Sequence, residues 1–368
     1  MENADSAARA ALAEQAVRTR MVRRLWALPG TRIGIVSHPA SLSHRWSRQW
    51  HYWWQAHLLD CLVDAQLRDP QPSRARLARR LVRANLIRNG GRRTNDYYDD
   101  MAWWGLALQR AARAFDLPAN ERSILRSCRA GIRSDGVVPW RRGDVFVNVP
   151  ANGPLAIMLA RVGDLPDAAR MVNWIADNLM LANGLVADGL VETPAGPQID
   201  ATVYTYCQGV VLGAELELMG PASAERIAKL VQAVEQQLSD DGVLGGRGGG
   251  DGGLFGGILT RYLALVARRL PGDDRTRATA ARLVRNSARA AWRNAIDPGD
   301  GLPVFGHDWS IPAALPNRNA WLPERDLSVQ LSGWMVQEAA ASLARAFERP
   351  QTPDASITRL SPGALQSR

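Results

Sequence analysis

The chain has 368 residues, 46% of them apolar, with 45 Lys and Arg against 36 Asp and Glu, a formal net charge of +9. That apolar content and well-mixed charge exclude a disordered chain and supply one large core or two ordinary ones. Lys229 is the only lysine; the arginines are spread near acids, as Arg268-Arg269 precede Asp273-Asp274, and form no compact basic block with interleaved aromatics. That pattern argues against a nucleic-acid partner, while an anionic partner such as a phospholipid-anchored glycan stays compatible with it.

Apolar residues at three- and four-residue spacing predict helices over 5–27, 43–67, 72–89, 99–115, 119–133, 150–163, 165–182, 201–219, 221–239, 253–270, 273–294 and 326–347. Asp69-Pro70, Asn89-Gly90-Gly91, Asp135-Gly136, Gly163-Asp164 and Pro271-Gly272 break the pattern between them. Strand-like alternation is scarce. About a dozen helices joined by alternately short and long loops is the pattern of an all-α (α/α)6 toroid, with inner and outer helices alternating around a cleft. The long loops, 134–149, 183–200, 240–252 and 295–325, carry Gly, Pro, Asp, Asn and Trp, the residues of turns and ligand-facing surfaces. Gly245 to Gly253, almost pure glycine around Arg247 and Asp251, lacks the Gly-Lys-Ser/Thr ending of a phosphate loop and reads as a flexible rim.

Residues 1–24 contain no apolar h-region and no run approaches a membrane span, so a soluble, cytoplasmic protein without stable membrane insertion is expected. Cys61, Cys128 and Cys207 are odd in number and far apart, which predicts free thiols. His51 and His57 lie six apart, too far round a helix to share a metal, and no metal or other cofactor is expected. Thirteen Trp against five Phe is a skewed aromatic set, and a flat apolar face with an N–H donor suits sugar rings.

The segment Asn95-Asp96-Tyr97-Tyr98-Asp99-Asp100-Met101-Ala102-Trp103-Trp104 carries the chemistry. Acids at a helix start commonly cap free N–H groups. Capping does not explain two carboxylates among four large aromatics. Adjacent side chains at a helix start diverge and can address different atoms of one bond. Glycosidic hydrolysis needs such a pair, one ionised and one protonated, and a retaining enzyme holds them about 5–5.5 Å apart. Mutual repulsion and aromatic surroundings raise one pKa so that it serves as the acid.

The Tyr-Asp-Asp-x-x-Trp-Trp run resembles the signature of glycoside hydrolase family 76, the endo-α-1,6-mannanases. Six further segments are similar in the same order: His51 to His57 with Trp54 and Gln55, Gly136-Val137-Val138-Pro139-Trp140, the Asn148 and Asn152 pair, Asn183 to Gly189 with Asp188, Thr205-Tyr206-Cys207-Gln208-Gly209, and Phe255-Gly256-Gly257-Ile258 with Arg261-Tyr262-Leu263. The resemblance covers roughly 45–270 with a weaker continuation to 347. It implies an (α/α)6 fold, a retaining mechanism with Asp99 as nucleophile and Asp100 as acid/base, and Asp188 as a third acid binding sugar hydroxyls. It further implies substrate contacts from Trp54, Gln55, Tyr98, Trp103, Trp140, Asn148, Asn152, Tyr206, Gln208, Phe255 and Arg261, with one ring of Trp103-Trp104 turned to sugar. The organisation it implies is a lead-in over 1–42, a catalytic body over 43–348 that helix 1 can complete, and a flexible tail over 349–368. The expected partner is a mannan oligosaccharide or mannosylated glycolipid. Cys207 departs from the family's Asn, and Val147 and Gly256 from its lysines, which bears on subsites rather than on the reaction. Transglycosylation through the same intermediate, a non-catalytic glycan-binding toroid and a different (α/α)6 enzyme stay open at this point.

Overall fold

The computed structural model describes residues 2–118, 120–246, 248–317 and 321–348, so Arg247 and the expected tail over 349–368 lie outside the described residues. In chain order the helices are α1 (Glu2–Met21), α2 (Leu42–Arg45), α3 (Tyr52–Arg68), α4 (Pro72–Arg88), α5 (Tyr98–Phe115), α6 (Arg122–Arg129) and α7 (Val149–Arg161). They continue as α8 (Leu165–Asn178), α9 (Thr205–Leu218), α10 (Ser223–Leu238), α11 (Phe255–Arg269), α12 (Asp274–Arg293) and α13 (Leu327–Glu348).

Two kinds of helix alternate. In α7 every residue from Val149 to Leu159 is buried, and in α9 burial is nearly continuous from Thr205 to Leu216. Helices apolar all round belong inside. In α12 the buried residues recur at three- and four-residue spacing, with arginines between them, so one face looks outward. The inner ring is α3, α5, α7, α9, α11 and α13, each packed on the next, with α13 closing onto α3. Outside it, α4, α6, α8 and α12 each bridge two inner helices, α10 packs on α9 and α12, and α1 bridges α13 and α3. This is an (α/α)6 toroid. Glycines let the inner helices approach: a Cβ on Gly209 would stand 2.9 Å from the Cα of Leu259, and one on Gly257 would stand 2.7 Å from the Cα of Ser332.

Three local expectations are corrected. The helix predicted over 43–67 is split, because Ser47 adopts a left-handed φ of 51° between α2 and α3. Residues 183–200 are not all loop: β4 (Gly189–Thr193) and β5 (Gly196–Asp200) form a hairpin that pairs antiparallel with β3 (Phe146–Asn148). The hairpin is mostly exposed and rich in Gly and Pro, so it carries no apolar alternation to read. The remaining strands are two-residue pairs, β1 (Val22–Arg23) with β2 (Ile33–Gly34) and β6 (Ser239–Asp240) with β7 (Val243–Leu244). Finally, Arg269 pairs with Glu217 rather than with the acids that follow it, while Asp273 caps α12 through the Thr276 N–H. Cys61, Cys128 and Cys207 are free and buried.

Candidate active site

Connections through the outer ring leave the six inner helices parallel, so their N-termini share one end of the toroid. Asp99 and Asp100 occupy the first turn of α5 there. The turn is built locally: Asn95 Oδ1 accepts the Tyr97 N–H at 3.0 Å, and Tyr98 N donates to the Trp140 carbonyl at 2.9 Å. That second bond brings the 134–149 loop beside the helix start. Trp140 Nε1 then donates to Asp99 Oδ2 at 2.9 Å, and Asp99 Oδ1 accepts the Asp100 N–H at 2.7 Å. Asp100 Oδ2 receives a single side-chain bond, from Asn95 Nδ2 at 2.7 Å.

These differences separate the two acids. Burial pushes the Asp99 carboxyl up to about 6, while its bonds from Asp100 N–H and Trp140 hold it back. Burial and the neighbouring Asp99 charge push Asp100 higher, to about 8. Near neutral pH the site therefore holds one carboxylate and one carboxylic acid, the division that glycosidic cleavage requires.

Two further carboxylates face this pair. Asp188 precedes β4 and is buried; burial and the charge of Asp200 push it up to about 6, with Asp99 contributing. Cys207 Sγ lies 3.7 Å from its Oδ1 as donor, so the thiol bonds this acid. Asp251 sits in a 3-10 turn, Gly250–Leu254, ahead of α11. Its Oδ1 accepts from Trp54 Nε1 at 2.7 Å and from Trp53 Nε1 at 2.9 Å, and its charge bears on both Asp99 and Asp100. Tyr206 and Phe255 stack with centroids 4.2 Å apart, and Trp53 lies 6.1 Å from Tyr206, which makes an aromatic wall beside the acids.

Asp251 and Trp53 are absent from the residues singled out by sequence. Part of the glycine run around Asp251, expected as a flexible rim, is packed against α13 and the residues just before it. Gly250 N donates to Asp326 Oδ2 at 2.7 Å, and a Cβ on Gly253 would meet Ser328 Oγ at 2.6 Å and Val329 N at 2.9 Å. An acid in a glycine run directly before an inner helix is the signal that could have identified it.

Several of the expected substrate contacts have polar atoms that are engaged within the fold. Gln55 is fully buried and bonds Gly34 N and O, both at 2.9 Å. Asn152 clasps Val138 N and O at 2.8 Å each, steadying the loop that delivers Trp140. Gln208 holds Val186 N and O, both at 2.8 Å, and so steadies the approach to Asp188. Asn148 caps α7 by accepting the Ala151 N–H at 3.2 Å. Arg261 lies within a charge cluster with Asp60, Asp64 and Arg110, at 2.8 Å from Asp64. Tyr98 is buried against Gly131, on the far side of its helix. Trp54 is buried and stacked on His51, reaching the site only through its N–H. Trp103 and Trp104 are both buried, Trp103 behind Tyr206 and Trp104 against Tyr52, so neither ring turns to solvent. Val147 is core, and Gly256 lies under the Trp309 ring, whose edge stands 3.3 Å from the missing Cβ. Among the described residues no group of His, Cys, Asp and Glu is arranged to hold a metal ion.

The model of glycosyl hydrolase family 76 matches residues 9–340. Among solved structures, the GH76A α-1,6-mannanase from Salegentibacter sp. HEL1_6 is 25% identical, with 92% of this chain and 99% of that chain covered and a TM-score of 0.81. A protein from Listeria innocua is also 25% identical, covering 94% of this chain and 99% of that one at a TM-score of 0.80. The family 76 mannosidase Bt3792 from Bacteroides thetaiotaomicron VPI-5482, at 15% identity, TM-score 0.72 and coverage of 94% and 100%, shares the fold. An inactive variant of the Salegentibacter enzyme, two successive aspartates changed to asparagine, is solved with α-1,6-mannotriose at a TM-score of 0.79, 24% identity, and coverage of 92% and 99%. No curated protein matches. The chain belongs to glycosyl hydrolase family 76 and is a glycoside hydrolase of the α-1,6-mannanase type.

Proposed function

From that membership we propose that the protein hydrolyses α-1,6-mannosidic bonds, in α-1,6-mannan or in the mannan backbone of cell-envelope glycolipids, with retention of anomeric configuration. Asp99 attacks the anomeric carbon while Asp100 protonates the leaving oxygen. Water then enters, Asp100 takes its proton, and the mannosyl–Asp99 ester is released as sugar and free carboxylate. The aromatic wall of Trp53, Tyr206 and Phe255 supplies apolar faces for sugar rings, and Asp188 and Asp251 supply acceptors for hydroxyls.

The observation that carries this reading is the placement of two adjacent acids at the N-terminus of an inner helix, Asp99 held by Trp140 Nε1 and the Asp100 N–H and Asp100 by Asn95. Three successive-aspartate pairs occur in the chain. Asp240-Asp241 is exposed and Asp273-Asp274 starts an outer helix, so Asp99-Asp100 alone matches the kind of pair whose loss inactivates the Salegentibacter enzyme. The test is incubation with linear α-1,6-mannan and with α-1,2- and α-1,3-linked mannosides, with products separated by chromatography. Release of α-1,6-mannooligosaccharides whose initial anomer matches the substrate is expected. No cleavage of the α-1,6 substrate, or an inverted first product, would reject the substrate or the retaining step respectively.

A further inference from the structure

Away from the cleft, the outer wall between α1 and α4 holds a groove of about 960 Å³. Eight arginines and two carboxylates line it, an excess of six positive charges out of the chain's net nine. Helix α4 contributes three of the eight, Arg74, Arg76 and Arg80, and itself contains six arginines and no acid. Arg18, Arg68 and Arg74 converge on Glu14 and are neutralised in part. The other five, Arg23, Arg24, Arg32, Arg76 and Arg80, reach no carboxylate among the described residues. Burial and the like charges of Arg45 and Arg32 lower the proton affinity of Arg23, and burial with Arg24 and Arg80 does the same for Arg32. Guanidinium groups do not deprotonate at ordinary pH, so an external anion lowers the repulsion in an assembly like this.

Beside the groove stands an apolar rim. Trp26 and Leu28 are 40% and 39% exposed, Leu42 75% and Trp46 58%. The two loops that carry them are joined, since Trp26 Nε1 donates to the Trp46 carbonyl at 3.0 Å. Arg24 and Arg45 flank the two tryptophans in sequence. No aromatic ring lines the groove itself, so it offers no stacking platform for single-stranded nucleic acid. Exposed Trp and Leu at the edge of an arginine field are what an anionic lipid surface takes up: phosphates meet the guanidinium groups while the rim enters the headgroup layer. No described helix is long and apolar enough to cross a membrane, so the association is peripheral.

We propose that the α1–α4 wall docks the protein on an anionic phospholipid bilayer, with Arg24, Arg32, Arg76 and Arg80 on lipid phosphates and Leu42 and Trp46 at the interface. The test uses the full chain and sedimentation with vesicles free of any mannan, so its outcome is independent of the hydrolytic reading. Binding to vesicles of equal parts phosphatidylglycerol and phosphatidylcholine is expected at about 0.1 M salt, lost near about 1 M, and absent on pure phosphatidylcholine. The triple variant Arg24→Ala/Arg76→Ala/Arg80→Ala should weaken partitioning on the order of a hundredfold. Leu42→Ala/Trp46→Ala should weaken it severalfold. Both variants should retain wild-type circular dichroism and full hydrolysis of soluble substrate. Equal binding to neutral vesicles, no binding to anionic ones, or a triple variant that binds as before would overturn the proposal. So would tighter binding of a duplex oligonucleotide than of anionic vesicles at the same salt, which would transfer the groove to nucleic acid.

Discussion

The cleft acids and the α1–α4 arginines are both clusters of like charge, and the molecule handles them in opposite ways. A carboxyl can take up a proton, so burial, with the repulsion of neighbouring carboxylates added to it, raises the proton affinity of Asp99 and Asp100 and leaves one acid neutral. Arginine has no such recourse. A third cluster shows the remaining solution: Arg110 and Arg261 lie against Asp60 and Asp64 inside the ring, each charge met by its opposite. Catalysis, docking and support therefore follow from whether a cluster can titrate, needs a partner, or already has one.

The strongest break in this contrast is at the acids. Asp99→Asn should abolish mannan turnover, and Asp100→Asn should reduce it by roughly 10²–10⁴-fold, read as initial rates on α-1,6-mannan. On a mannoside with a good leaving group, Asp100→Asn should form the glycosyl-enzyme and stall, and azide should restore release. Asp99→Asn should form none. If both variants retain near-wild-type rates on mannan, the two acids only cap α5.

Removing one member of the paired cluster should cost stability instead. Arg261→Ala leaves Asp64 and Asp60 under-compensated inside the ring, and a loss of about 3 kcal/mol in urea unfolding is expected. Arg76→Ala on the wall, which has no acid to abandon, should fall within about 0.5 kcal/mol of wild type. Equal losses at the two positions would contradict the distinction.

The pH profile sharpens the acid cluster further. Activity should fall below about pH 6 as Asp99 is protonated and above about pH 8 as Asp100 loses its proton. The charge of Asp251 raises both groups, so Asp251→Asn should move both limbs to lower pH. Limbs that stay in place would remove Asp251 from the electrostatics of the site. The same shifts set a sign for stability. The folded protein binds the Asp100 proton more tightly than the unfolded chain, so this group's contribution is whole below the unfolded pKa of about 4 and is lost as pH rises towards 8. Asp100→Asn escapes that loss. Its melting temperature should exceed wild type by several degrees at pH 8 and match it at pH 4.

The smallest expected effect is at Cys207. An amide there donates a stronger bond than a thiol, so Cys207→Asn should lower the proton affinity of Asp188, observable by carbon-13 NMR of the labelled carboxyls, with little change in rate.

What was legible in the sequence was local. Twelve segments of helical spacing, with breakers between them, imply the alternation of inner and outer helices, and α3 to α13 follow that reading except where Ser47 interrupts a turn. Asp99 and Asp100 could be singled out because their setting, the loop, the cap and the aromatic neighbours, lies within ten residues. Tertiary structure alone decided the rest. Gln55, Asn152 and Gln208 are polar residues on inner helices, for which the family resemblance implies substrate contact; each clasps a backbone segment 14 to 22 residues away. Arg261 meets Asp64 across 197 residues, and Asp251 meets Trp54 across the same separation. Arginines that seem evenly mixed with acids along the chain sort, once folded, into those that reach a carboxylate and those on the α1–α4 wall that do not. Spacing determines which face of a helix a residue occupies. Which group waits opposite is set by ring closure, and for a buried polar or charged side chain that partner decides whether it binds, catalyses or merely holds the fold.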